Sequence, residues 1–446
     1  MLRQTARQRL TPGQAIGQAL AFHQQGHLAE AERLYRLVLK SERKHFDALH
    51  LLGMLRYQQG RYGDAHSLIA AALASNAASA AALSNYGLVL KKLKRYDEAV
   101  ASYDQALALA PGDVAALYNR GLVLHALERH DEAVESYNSA LAIRPDDVDV
   151  LSDRGNALRA LGRHEQALAS YDQALRLMPG HINSLYNRAT LLQERGRLAE
   201  ALKSCGILLV LRPDHVEALN LKGASLSALM QFDEALASYD RALAVDPRHV
   251  DVLANRAGAL VALDQTDEAV ATCDRALAIA PDRADVLHIR GGALQSIDRY
   301  GEALASYDRA LAIEPERVDT LSERGHVLIE MRQYGEALAC LDQALTIDPE
   351  HVKALDNCGV ALQRLGRPEE ALARFDRALE LAPWHSEARI KALTHKGNAL
   401  FDLGRYQDAL ATYEEVLAAE PDDADAHFKA AATRLRLGDF HDERLD

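Results

Sequence analysis

Five histidines stand two residues after a proline: His181, His215, His249, His351 and His385. Imidazoles that recur are first of all candidate metal ligands, and a metal needs its ligands about 2 Å from one ion. These five lie one repeat or more apart, and packed helices sit ~8–10 Å from one another. They therefore read as solvated turn residues. The four cysteines, Cys205, Cys273, Cys340 and Cys358, include no CxxC pair that would suggest a redox or zinc site. No nucleophile is paired with a base, no glycine-rich loop is set to cradle phosphate, and no cofactor motif appears. The acids recur in step with the rest of the chain, as in Asp97-Glu98, Asp131-Glu132 and Asp267-Glu268, which marks them as helix-start residues that complement the helix dipole. The expected catalytic, metal and cofactor sets are all empty, and the chain is read as non-enzymatic.

One polar column has no such local account. Asn85, Asn119, Asp153, Asn187, Asn255 and Asn357 share a step of 34 or its multiples. Each stands two residues before a second column, Gly87, Gly121, Gly155, Ala189, Ala257 and Gly359. Two residues on a helix turn through about 200°, so the polar column is expected to face away from the contact made by the glycines. Asn is a poor residue for a helix interior, so its repetition suggests binding. Leu221, Ile289, Glu323 and His395 interrupt the column. The alternative is that Asn-Arg-Gly is only a habit of the repeat.

The elements that would carry these residues follow from the period. Pro111, Pro145, Pro179, Pro213, Pro247, Pro281, Pro315, Pro349 and Pro383 recur every 34 residues, and an Ala column runs at the same step from Ala31 to Ala371. Tyr35, Tyr103, Tyr137, Tyr171, Tyr239, Tyr307 and Phe375 form an aromatic column, in which Cys205 and Cys273 also fall and should be buried. Small residues let two helices approach, the aromatic fills the remaining space, and proline ends the second helix. The period breaks once: Pro383 to Pro421 is 34 plus 4. Four residues make about one helical turn, which predicts a longer first helix over about 386–403. Trp384, the only tryptophan, lies at this break. Packing of the irregular joint is the simpler reading, and a partner site is the other.

This period and these columns resemble the tetratricopeptide repeat. The resemblance implies an all-α solenoid, a right-handed superhelix of about 25 helices that binds other proteins. Twelve repeats are expected over 12–423, as 12–45, 46–79, 80–113, 114–147, 148–181, 182–215, 216–249, 250–283, 284–317, 318–351, 352–385 and 390–423. A disordered tail at 1–11 precedes them, and a capping helix and tail at 424–446 follow. Within the family the first helix of each repeat lines the inner groove. The Asn column is similar to the asparagine ladder of O-linked N-acetylglucosamine transferases, where side-chain amides hold a peptide backbone. An amide suits that task because it donates and accepts together. The pairs Ser84/Leu88, Tyr118/Leu122, Ser152/Asn156 and Thr394/Asn398 lack the lysine of the chaperone-binding members.

Segments such as 161–165, 171–175 and 434–440 also look like bacterial proteins that place these arrays before a glycosyltransferase domain. The sequence stops six residues after Phe440, so the alternative reading is a substrate-selecting array whose catalytic domain is absent from this chain. Self-association through an open end of the solenoid is a third. The net charge of −13 argues against nucleic acid as the partner. No 18-residue apolar run suggests a membrane span. The basic start Met1–Arg9 lacks the apolar segment of a secretory signal. The cytoplasm is the expected compartment.

Overall fold

The computed structural model describes residues 10–384 and 386–438. Among these residues there are 25 α-helices and no strand. The tail expected before residue 10, His385 and the segment after Gly438 lie outside the described residues. The helices come in pairs. The first pair is Pro12–Gln24 with Leu28–Ser41, the fifth Val148–Ala160 with His164–Leu177, and the sixth Ile182–Glu194 with Leu198–Leu211. The chain divides into two compact units, 1–213 and 214–446. The first holds pairs 1 to 6. The second holds pairs 7 to 12 and a last helix, Ala424–Leu437.

In every pair but the first the seam is a size match. An added Cβ on Gly155 would stand 2.4 Å from Cε1 of Tyr171, and the same closeness recurs for Gly121 on Tyr137 and Gly359 on Phe375. Only glycine lets the ring lie on the first helix. In pairs 6 and 8 the glycine becomes Ala189 and Ala257, and the residue sixteen further on becomes Cys205 and Cys273, both fully buried. One methyl is gained on one side and a ring is lost on the other. Pair 1 departs from the rule, with Ala19 standing opposite Tyr35. The Ala column of the second helix, Ala31 to Ala409, is fully buried throughout.

Caps define the helix starts. Asp113, Asp147 and Ser79 accept from backbone N–H groups of the first turn in the usual way. Four of the histidines expected to be merely solvated turn residues cap helices as well. Nδ1 of His181, His215, His249 and His351 accepts from the N–H three residues on, at 3.1–3.4 Å. The proton then sits on Nε2, which in His181 donates to Asp149 at 3.2 Å and in His351 to Asp319 at 3.1 Å. Each such ring ties its turn to the preceding repeat. The second helices have no side-chain cap; the arginine before several of them grips an acid of the first turn, as Arg129 does Glu132 at 2.7 Å.

A charged tie crosses from several second helices to the next pair. Arg120 meets Asp104 at 2.6 Å, and Arg188–Asp172, Arg256–Asp240, Arg290–Asp274 and Arg324–Asp308 all lie at 2.7 Å. The arginine of Asn-Arg-Gly is thus a structural tie.

The break in period lengthens a first helix. The first helix of pair 12 is Glu387–Asp402, 16 residues where the preceding one, Val352–Arg364, has 13. Trp384 does not pack into this joint. It is 77% exposed, with the guanidinium of Arg389 4.1 Å above its ring.

Candidate functional site

The first helices of successive pairs lie side by side within each unit and form a wall. The polar column faces away from the contact made by the glycines, but it is not free of helix contacts, because it faces the neighbouring first helix. Asn85 Nδ2 donates to His50 Nε2 at 2.9 Å, the Tyr118 hydroxyl donates to Asp153 at 2.7 Å, and Asn255 Nδ2 donates to Asn220 Oδ1 at 2.9 Å. Each link spans 35 residues, one repeat plus one. After the four-residue insertion it becomes 39, between His395 and Asp356 at 2.9 Å. Asn119 accepts from Lys91 Nζ at 3.2 Å and donates to its own helix at Ala115 O, 2.9 Å.

The six residues differ in access. Asn85, Asn119, Asp153 and Asn187 are half-buried on consecutive first helices of unit 1, and Asn255 is exposed in unit 2. Asn357 is only 6% exposed, and its amide points to the carbonyl of Ser322 at 3.4 Å. Burial raises the carboxyl pKa of Asp153 even though Tyr118 and Asn156 donate to it. Burial and the Asp153 charge hold the Tyr118 hydroxyl far above its usual range. Lys91 is lowered, first by burial and then by Lys92.

Other polar side chains of the wall are held from behind. The buried Tyr171 donates through the glycine gap to Asn156 Oδ1 at 2.7 Å, Tyr307 to Gln295 at 3.0 Å and Tyr413 to Asn398 at 2.9 Å. The signal was present in the sequence as an amide 12 or 15 residues before a column tyrosine, but the aromatic column read as packing alone.

Recesses open on this wall. In unit 1, His125, Asn156, Arg159, His164, Asn187 and Glu194 line one of about 510 Å³. Arg159 pairs there with Glu194, and burial followed by the neighbouring His130 lowers the pKa of His125. In unit 2, Gln295, His326, Lys353, Asp356 and His395 line a recess of about 610 Å³. His395 also borders a second, of about 590 Å³, whose apolar part includes Ile329, Val360, Phe401 and Phe428. This is a surface of amides, imidazoles and paired charges. The thiols offer no nucleophile: burial pushes Cys273 up to about 12 and Cys358 up to about 11. Among the described residues no three His, Cys, Asp or Glu come together to hold a metal ion. Nor, among them, is any helix long and apolar enough to cross a membrane.

Tetratricopeptide-repeat models match residues 78–146 and 316–383, 228–291, 148–181 and 183–202, and a TPR-repeat model matches 397–438. Together they cover about two thirds of the chain. The chain is a tetratricopeptide-repeat protein. A model described as anaphase-promoting complex, cyclosome, subunit 3 also matches this array, over residues 24–106. Among solved structures, the APC/C hetero-tetramer Cut9-Hcn1 shares the fold at a TM-score of 0.54 and 14% identity, over 95% of this chain and 96% of that one. YrrB, a TPR protein with an unusual peptide-binding site, aligns at 25% identity over 42% of this chain and 95% of its own, with a TM-score of 0.37. MamA aligns at 24% identity over 35% of this chain and 92% of its own, with a TM-score of 0.33. No curated protein matches the tetratricopeptide array described here.

Proposed function

We propose that this tetratricopeptide array is a non-enzymatic scaffold that holds an extended segment of a partner protein against its first-helix wall. One observation carries the reading. Asn85, Asn119, Asp153 and Asn187 come from four consecutive first helices, in one column, each half-buried and therefore still reachable. Three side-chain amides and one carboxyl, repeating on a rigid wall, can meet the repeating amides of a peptide backbone. The links to His50, Lys91 and Tyr118 fix the side chains before a ligand arrives, which lowers the entropy cost of binding. Asn255 extends the same role to unit 2, whereas Asn357 lies too deep to contribute.

The test uses peptides selected on the full chain from a random display library. Their affinity is then measured for wild type and for the triple variant Asn85→Ala, Asn119→Ala, Asn187→Ala. Each amide contributes ~0.5–1.5 kcal/mol, so binding should weaken at least about tenfold. The helical melt should shift by only a few degrees, about what the loss of the His50 and Lys91 links implies. Equal affinity would remove the wall as the binding face. The same column serves a second reading, a substrate-selecting array for a glycosyltransferase on another chain. Recovery of such an enzyme with the intact chain, and its loss with the triple variant, would favour that reading.

A further inference from the structure

Pair 6 breaks the chain's own rule on the solvent side of its second helix, Leu198–Leu211. From pair 3 onward the residue after the aromatic column is Asp, Asn or Glu, as in Asp104, Asn138 and Asp172; in pair 6 alone it is Gly206. The next residue is polar in those pairs, for example Gln105, Ser139 and Gln173, and here it is Ile207. Three further on stands Val210, where no other pair has a β-branched aliphatic residue, and it is 81% exposed. Ile207 and Leu211 beside it, and Met178 after the preceding second helix, are each about half exposed. An added Cβ on Gly180 would sit 3.3 Å from Leu211 Cδ1, so Leu211 lies against the turn that carries Met178. The four side chains make one patch.

Stacking does not require it. Pairs 3 to 5 of the same unit have Gln105, Ser139 and Gln173 where Ile207 stands and Ala108, Ala142 and Arg176 where Val210 stands. The Leu211 position is apolar and half exposed in those pairs too, as Leu109, Ile143 and Leu177, so what pair 6 adds is Ile207 and Val210 beside it. Exposed apolar clusters of this kind mark interaction sites.

The margin decides what covers the patch. Positions 203, 207, 210 and 211 share one helix stripe, so exposed Lys203 borders it, and Arg176 and Arg212 are exposed at its ends. In a chain of net charge −13 this margin is locally basic. A second copy of the chain seated on the patch would bring like charges together, which costs affinity. We infer that the patch Met178–Ile207–Val210–Leu211 docks an amphipathic helix of a partner protein whose apolar face is flanked by acidic residues. Apolar residues of that helix at i, i+3 and i+4 would meet the patch, and its carboxylates would face Arg176, Lys203 and Arg212. This face is separate from the peptide wall, so one array would carry two partners.

The test uses the full chain with two synthetic helices of about 18 residues that share a leucine face, one flanked by Glu and one by Lys. The Glu-flanked helix should bind and weaken as salt rises. Val210→Glu should weaken it more than about tenfold while the melt stays unchanged, because Val210 is a surface residue. Ile207→Asp should act in the same direction. The inference is overturned if the Lys-flanked helix binds equally well, or if the Glu-flanked helix shows no binding at about 1 mM, the weak end of specific recognition. It is also overturned if vesicles containing phosphatidylserine take up the chain while the helix does not, or if sedimentation shows a dimer that Val210→Glu dissolves.

Discussion

Pairs 5 and 6 are neighbours in one unit, with helices of equal length, 13 and 14 residues. They differ on three faces. At the seam, Gly155 under Tyr171 becomes Ala189 with Cys205. On the wall, Asp153 becomes Asn187. On the outer side, Asp172 with its arginine partner becomes Gly206. The helix pair survives all three exchanges. From pair 3 onward the seam therefore couples its two residues, a ring standing only over glycine and a smaller side chain over alanine, whereas wall and outer side are free to vary and carry whatever distinguishes one repeat from the next.

The largest test of that contrast empties the seam of pair 5. Tyr171→Ala removes a fully buried ring and its bond to Asn156, and should cost about 3–5 kcal/mol by chemical denaturation. A loss equal to that of Cys205→Ala would show that the ring does not fill the seam. Next comes overpacking. Gly155→Ala places a methyl 2.4 Å from a buried ring, and should cost about 1–3 kcal/mol. Adding Tyr171→Cys should then recover part of that cost, because the double variant has the seam of pair 6. Strict additivity in this cycle would refute volume compensation.

A smaller effect is expected outside. Asp172→Gly removes the partner of Arg188, an ion pair whose acid is about half exposed, and should cost no more than about 1 kcal/mol. The smallest concerns the wall. Burial raises the folded-state pKa of Asp153, so the folded state binds more protons than the unfolded one between the two pKa values. Stability from this group is therefore greatest at low pH and declines as pH rises through that window. Asp153→Asn, which gives pair 5 the amide of pair 6, should raise the melting temperature slightly at pH 7. The advantage should shrink toward pH 4. An advantage independent of pH would mean that the charge is not its source.

Much of this was legible because each column answers to one dominant force. Proline, Ala and the glycine–aromatic pairing report backbone geometry and volume, which a repeat of 34 displays many times over. The extra helical turn at 387–402 was legible for the same reason, since an insertion of four keeps a helix in phase. What escaped reading depends on the neighbouring repeat. A wheel drawn for one helix says that Asn85 turns away from Gly87, and cannot say that His50 of the previous repeat waits there at 2.9 Å. The arginine ladder and the Nε2 bonds of the capping histidines are hidden in the same way. Trp384 misled by its size: a large aromatic at an irregular joint reads as filler, but a cation stacks on it in the open.

That exposed indole has a practical meaning. As the only tryptophan, it makes the molecule its own fluorophore at one address, the joint between pairs 11 and 12. Circular dichroism averages over every helix, while tryptophan emission sees this joint alone. In a molecule whose repeats touch only their neighbours, the two melting curves need not coincide. A gap between them would show that this joint unfolds apart from the rest of the array.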